Sequence, residues 1–221
     1  MSPFTVLHVC VGNICRSPMA ERLFVFALRQ RMGDGVEEFY ISHGAGTGAW
    51  HEGEPMNPPA ERELLARGAN ADGFTARKVS RALIDVSDLL LCATSEQVDY
   101  VLRLRPEAAG RTFVLGEFGR LLAKTDLSIL PAPAENPGWA RDRGVALVSA
   151  VDAVRGGGAI WGSMGESRKA SRSSDDLADP YGMTDQEFAK VADEIERTVV
   201  PLAAALTGAA SLPGQAPIRL R

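Results

Sequence analysis

The hydrophobic positions of this 221-residue chain change period in a regular order. Short apolar runs of strand length alternate with longer stretches that repeat every three to four residues. Phe4-Thr5-Val6-Leu7-His8-Val9 is the first run and has the β-branched content of a buried strand. Residues 18–32 follow as a helix, with Ala20, Leu23, Phe24, Ala27 and Leu28 on one face, and Met32-Gly33-Asp34-Gly35 stops it. Residues 38–43 read as a second strand, and a glycine-rich turn from Gly44 to Gly48 comes after it. Asn57-Pro58-Pro59 opens a helix that Gly68 ends, and residues 74–79 read as a connection. Residues 87–93 form a third strand. Thr94 and Gln97 have capping-box spacing for a helix over 96–104, which Pro106 closes. Residues 112–115 are the fourth strand, ahead of a short helix around Phe118, Leu121 and Leu122.

Four strands alternating with helices predict an α/β fold, a parallel sheet covered on both faces. Right-handed crossovers limit its topology, but periodicity alone does not order the strands. Past residue 123 the alternation breaks. Residues 141–154 have a helical pattern with Val145, Val148 and Val151 on one face, and Gly156-Gly157-Gly158 ends it. From Gly162 to Asp176 the chain is rich in Gly and Ser, which predicts mobility. A helix set inside such an insertion suits a lid, a partner surface or neutral decoration, and the residues do not choose among them. The last helix spans 184–207, opened by a Thr184–Glu187 capping box, and Pro201 is expected to kink it or split it at Val200. The expectation is one domain over 1–207 with an insertion at about 124–176, then a frayed tail over 208–221.

Composition excludes more than it assigns. A net charge of −4 gives no reason to expect nucleic acid or an acidic membrane surface as a partner. No apolar stretch approaches membrane-spanning length, and the N-terminus lacks the pattern of a signal peptide. Cys10, Cys15 and Cys92 form no disulfide framework, and a required thiolate fits a reducing cytoplasm. His8, His43 and His51 are scattered and read as structural. No His/Cys spacing suggests a metal, and no cofactor is expected.

The chemistry concentrates in Cys10-Val11-Gly12-Asn13-Ile14-Cys15-Arg16-Ser17-Pro18. This stretch joins the first strand to the first helix. Ser17 suits the N-cap and Pro18 the first helical position. The loop then sits on the positive end of a helix with backbone N–H groups free, which makes an anion cradle. Both the helix end and Arg16 favour a thiolate at Cys10. Arg16 adds a planar fork for two phosphate oxygens. Gly12 permits close approach of the backbone, and Asn13 tolerates a left-handed conformation. A nucleophile at the floor of such a cradle suggests displacement at phosphorus through a phosphocysteine.

These residues resemble the low molecular weight protein tyrosine phosphatases. Further matches are Ala45-Gly46-Thr47-Gly48-Ala49-Trp50, Gly53-Glu54-Pro55-Met56, Ala76-Arg77-Lys78-Val79 and Asp179-Pro180-Tyr181-Gly182. The resemblance covers 4–123 and 177 to about 207, and leaves the middle stretch unmatched. It implies strand order 2-1-3-4 in a three-layer phosphatase I-like sandwich. It implies Cys10 as nucleophile, Arg16 as phosphate clamp and Asp179 as general acid, with Asp175 and Asp176 as nearby rivals. Val11, Gly12, Asn13, Ile14, Cys15 and Ser17 would line or brace the phosphate cradle. Trp50 and Tyr181 would wall the cleft for phosphotyrosine proteins or small aryl phosphates, and phosphate or other oxyanions would bind as ligands. Two positions depart from the family pattern. Gly44 stands where a supporting Ser is frequent, so Ser42 or another group must support the loop, or it goes without. Gly182 stands where many members have a second aromatic. Arsenate reduction and phosphoarginine hydrolysis are alternatives on the same fold. Ile14 favours an aromatic substrate, and Cys15 is placed to trap an oxidised Cys10.

Overall fold

The computed structural model describes residues 2–134, 138–156 and 174–208. Of the stretch 162–176 expected to be mobile, 162–173 lies outside the described residues, as does 209–221 of the expected frayed tail. Asp175 and Asp176 are not loose but are held by Arg120 and Ser95. The strands are β1 (Phe4–Cys10), β2 (Tyr40–Gly46), β3 (Leu89–Cys92) and β4 (Thr112–Val114). The helices are α1 (Arg16–Met32), α2 (Pro58–Ala66), α3 (Arg81–Asp85), α4 (Ser95–Leu104), α5 (Leu115–Leu122), α6 (Gly138–Arg155) and α7 (Asp185–Thr207). All strand pairs are parallel, in the order β2-β1-β3-β4.

Every residue of β1 is buried, as a central strand covered on both faces requires. Its side chains alternate between two cores. Phe4, Val6 and Cys10 join Leu89, Leu91 and Phe113 beneath α1, α5, α6 and α7. Leu7 and Val9 join Leu90, Cys92 and Val114 beneath Ile84 of α3 and Val98, Val101 and Leu102 of α4. The register sets Cys10 opposite Gly46, so the reactive loop leaves the carboxyl end of the sheet beside the end of β2.

Several local expectations change in three dimensions. β2 runs to Gly46, so the glycines at 44 and 46 are strand residues rather than a turn. A Cβ at Gly46 would lie 2.6 Å from the Val11 carbonyl oxygen, so only glycine lets β2 lie against the loop. α7 is one helix and is not split at Val200; Pro201 lies inside it. The missing N–H costs one bond. Against it, Val199, Leu202 and Ala203 are fully buried, and the hydroxyl of Thr198 donates to the Leu115 carbonyl at 3.2 Å.

α6 is neither lid nor decoration. Its buried stripe is Ala140, Arg143, Gly144, Leu147, Val148 and Val151, while Val145 points outward at 43 % exposure. The expected Val145-Val148-Val151 face was rotated because the true stripe is centred on Gly144 and Leu147. A Cβ at Gly144 would lie 2.3 Å from the Phe4 ring, so the helix backbone itself rests on β1. Trp139 packs edge-on to Tyr40, with ring centroids 6.4 Å apart. Arg143 donates to the carbonyls of Ala205 (2.8 Å) and Pro131 (2.5 Å). Arg155 lies 3.9 Å above the Phe113 ring and donates to the Thr112 carbonyl. Among the described residues no helix is long and apolar enough to cross a membrane.

Candidate active site

The loop after β1 is held from outside by its carbonyls. Those of Cys10, Val11 and Ile14 accept from the amides of Thr47 (3.0 Å), Gly48 (2.9 Å) and Asn57 (2.9 Å). That leaves the amide edge on the side of the sulfur, and the Asn13 N–H reaches Cys10 Sγ at 3.3 Å. Asn13 is the one described non-glycine residue with positive φ (55°). Its side chain offsets that strain. Nδ2 donates to Ser17 Oγ at 2.9 Å, and Oδ1 accepts from the Arg77 amide at 2.9 Å. Arg77 therefore meets the loop through its backbone N–H, a role that any residue but proline would serve and that its charge does not signal.

The helix starts two residues earlier than its capping signals suggest. Cys15 is the N-cap, α1 begins at Arg16, and Ser17 lies inside the first turn. The Ser17 hydroxyl is not free to cap because it is committed to the site. It lies 3.0 Å from Cys10 Sγ and 3.4 Å from the Ala45 carbonyl oxygen.

Arg16 is 4 % exposed and bridges loop to distant chain. Nη1 donates to the Leu177 carbonyl at 3.1 Å, and Nη2 lies 2.5 Å from Asp179 Oδ2. Asp179 Oδ1 also accepts from the Tyr181 amide at 3.2 Å. The rival carboxylates are occupied elsewhere. Asp176 accepts from the Ser95 amide at 2.7 Å and caps α4, while Asp175 pairs with Arg120 at 2.6 Å. The segment 175–179 is thus pinned by α4 and α5 on one side and Arg16 on the other. Pro180 to Met183 form a turn closed by a 2.9 Å bond from the Met183 amide to the Pro180 carbonyl. Gly182 sits in it at φ 76°, where a larger residue would be strained.

Cys10, Arg16 and Asp179 open on one cavity of about 130 Å³. Val11, Gly12, Ile14, Cys15, Trp50 and Tyr181 complete its predicted lining. Asn13 and Ser17 lie beneath it, both buried. Trp50 folds back over Gly48, where a Cβ would meet its ring, and stays 72 % exposed at the mouth. The lining also includes His51, which sequence spacing does not single out. Its ring edge covers Gly12, with Cδ2 2.9 Å from where a Cβ would stand. Nδ1 is 2.6 Å from Glu54 Oε2, and Tyr181 packs 6.0 Å away. Only the turn of 50–54 over the loop brings it there.

Two neighbours have altered acidity. Burial, then the nearby Cys10 and Asp179, pushes the Cys15 thiol up to about 12, so it stays protonated near neutrality. Burial, then His43, takes His8 down to about 3. Neither ring nitrogen of His8 has a partner among the described residues, and it serves as a neutral core group beside Phe24. A larger cavity of about 250 Å³ lies between α1 and β2, lined by residues such as Glu21, Arg22 and Ser42. It holds no nucleophilic thiol, so size alone does not locate the chemistry. Among the described residues no cluster of His, Cys, Asp or Glu is arranged to hold a metal.

Residues 5–136, more than half the chain, match the family model for low molecular weight phosphotyrosine protein phosphatases. The chain belongs to that family. A curated relative, the low molecular weight protein-tyrosine-phosphatase YfkJ of Bacillus subtilis, is 37 % identical over 94 residues, 42 % of this chain. The chain spans 58 % of that relative's length. Vibrio vulnificus Wzb, solved in complex with benzylphosphonate, has the same fold at 18 % identity and TM-score 0.58, covering 91 % of this chain and 98 % of that one. So has the YwlE arginine phosphatase of Geobacillus stearothermophilus, at 24 % identity and TM-score 0.57, with 91 % of each chain covered. The observed strand order, 2-1-3-4, is the one that the resemblance to this family implies. The family model ends at residue 136, before both α6 and Asp179.

Proposed function

We propose that this family member hydrolyses phosphotyrosine and related aryl phosphates through a phosphocysteine. The observation that carries the reading is the convergence of Cys10, Arg16 and Asp179 on one cavity, although Asp179 is 163 residues from Arg16 in sequence. Cys10 Sγ attacks phosphorus in line with the ester oxygen. Loop amides and the Arg16 fork hold the equatorial oxygens, where charge is spread in the transition state. The phosphoryl group competes for the guanidinium and loosens its contact with Asp179. Protonated Asp179 then gives its proton to the departing phenolate. As a carboxylate it takes a proton from water, which attacks the phosphocysteine. Ser17 donates to the sulfur as it leaves.

Substrate choice follows from the walls. Ile14 is apolar and 7 % exposed, and Trp50 and Tyr181 stand at the mouth, all suited to a phenyl ring. The YwlE likeness shows a shared fold and does not by itself carry arginine phosphatase activity here. A relay reduction of arsenate needs further accessible thiols. Cys92 is fully buried in β3 and Cys15 is held as a thiol, so neither supports that reading. A working Cys10 thiolate fits a reducing compartment, which supports a cytoplasmic location. The deciding measurement is turnover of matched phosphotyrosine, phosphoserine and phosphoarginine peptides. Preference for phosphotyrosine is expected, and preference for phosphoarginine would replace the aryl assignment.

A further inference from the structure

Gly44 leaves a gap under the catalytic loop, and Glu21 fills it. Glu21 lies on α1, one turn after Ser17, and is 6 % exposed. The Gly44 amide donates to its carboxyl, Oε1 is 3.4 Å from Arg22 Nε, and Oε2 has no hydrogen-bond partner among the described residues. Burial raises its pKa against the opposing pull of Arg22 and Arg77. A Cβ at residue 44 would lie 2.7 Å from Glu21 Oε2 and 2.7 Å from Asn13 Nδ2. Such approaches are too close for a real side chain, so the carboxyl stands where residue 44 has none. Ser42, the nearest hydroxyl along β2, is turned away and donates to the Glu21 carbonyl at 3.3 Å.

Asn13 Nδ2 carries two hydrogens. Ser17 Oγ takes one. Glu21 Oε2 is a buried, unpartnered acceptor that flanks the same point beside Gly44. We propose that Glu21 is a positioning residue: its carboxyl replaces the side chain absent at Gly44 and braces Asn13. Asn13 in turn holds the loop in its left-handed turn and sets Ser17 against the Cys10 sulfur. The inference rests on the reading of Cys10 as nucleophile and adds a group that never touches substrate.

The test is a set of variants assayed on an aryl phosphate, with thermal stability measured in parallel. Glu21→Ala is expected to lower kcat by about ten- to a hundredfold with KM little changed, because misplacing a nucleophile by under 1 Å has effects of that order. Glu21→Gln keeps the shape and an acceptor, and is expected to retain most activity. In the Glu21→Ala background, Gly44→Ser returns a hydroxyl to the vacated space and raises kcat again, whereas Gly44→Ala does not. An unchanged kcat in Glu21→Ala, or a loss that Gly44→Ser and Gly44→Ala repair equally, would overturn the proposal. If Glu21→Ala does not fold, the Glu21→Ala/Gly44→Ser double variant decides: active supports the brace, folded and inactive removes it. Failure of the catalytic reading looks different, because the unmodified enzyme would then show no turnover at all.

Discussion

The loop after β1 and helix α6 use residues in opposite ways. The loop, residues 10–17, keeps Asn13 at φ 55°, buries Arg16 and Ser17, and spends its hydrogen bonds on aiming groups at one sulfur. Its motif is dense and nearly every residue is chemically particular. α6 has no motif, and the family model does not extend to it. Yet it places a bare helix backbone on Phe4 and ties its arginines to carbonyls of Ala205, Pro131 and Thr112. One region concentrates function at local cost to stability, and the other adds stability without chemistry. The difference teaches that a stretch unmatched to any signature can still be core.

Substitutions that separate activity from folding sharpen this contrast. The largest effect is expected from Cys10→Ser, which should reduce turnover by at least about 10⁴-fold while phosphate still binds, because the nucleophile is lost and the cradle is kept. Calorimetry with phosphate and a steady-state assay check both halves; appreciable residual turnover would remove Cys10 as nucleophile. Asp179→Asn should lower kcat by about 10²–10⁴-fold on esters with poor leaving groups, and by less on activated ones. Equal losses across a leaving-group series would mean that Asp179 is not the acid.

In α6 the prediction reverses. Gly144→Val forces a side chain into Phe4 and should cost about 1–3 kcal/mol of stability, with kcat per folded molecule unchanged. Denaturant titration measures the first and an active-site-normalised assay the second. A neutral effect on stability would mean that α6 lifts off β1 easily, and would return it to the status of a lid.

A further effect concerns pH, and it is small at any one pH step. The unfolded chain protonates His8 near its ordinary pKa of 6.5, whereas the folded chain resists until about 3. Between those values the unfolded state binds more protons, so stability falls as pH falls. The slope from this residue is at most about 1.4 kcal/mol per pH unit, and it is absent above the unfolded pKa. Comparing wild type with His8→Leu in urea titrations across that window isolates it from the acidic groups. An identical slope in both proteins would show that His8 titrates normally in the fold.

The readable part of this protein was local. Strand and helix periods, the Thr94–Gln97 and Thr184–Glu187 caps and the Cys10–Arg16 spacing are all set by neighbours within a few residues, where the chain's own sterics and hydrogen bonds dominate. Ser17 misled as a cap because its hydroxyl is claimed by Cys10, a tertiary contact. The split expected at Val200 does not occur because burial of the neighbours of Pro201 outweighs one missing hydrogen bond.

The sequence by itself determined the alternating α/β plan, the loop that carries the thiol and guanidinium, and the Asp179 segment that meets them. The resemblance already pointed to Asp179, but only the tertiary structure brought Ser95 and Arg120 up to occupy Asp176 and Asp175 and left Asp179 facing Arg16. It alone put His51 over Gly12 and Glu21 into the gap at Gly44. It also set α6, which follows the end of the family match, against the core. These outcomes depend on distances between segments far apart in the chain, and no local pattern of residues encodes a distance that only the closed fold creates.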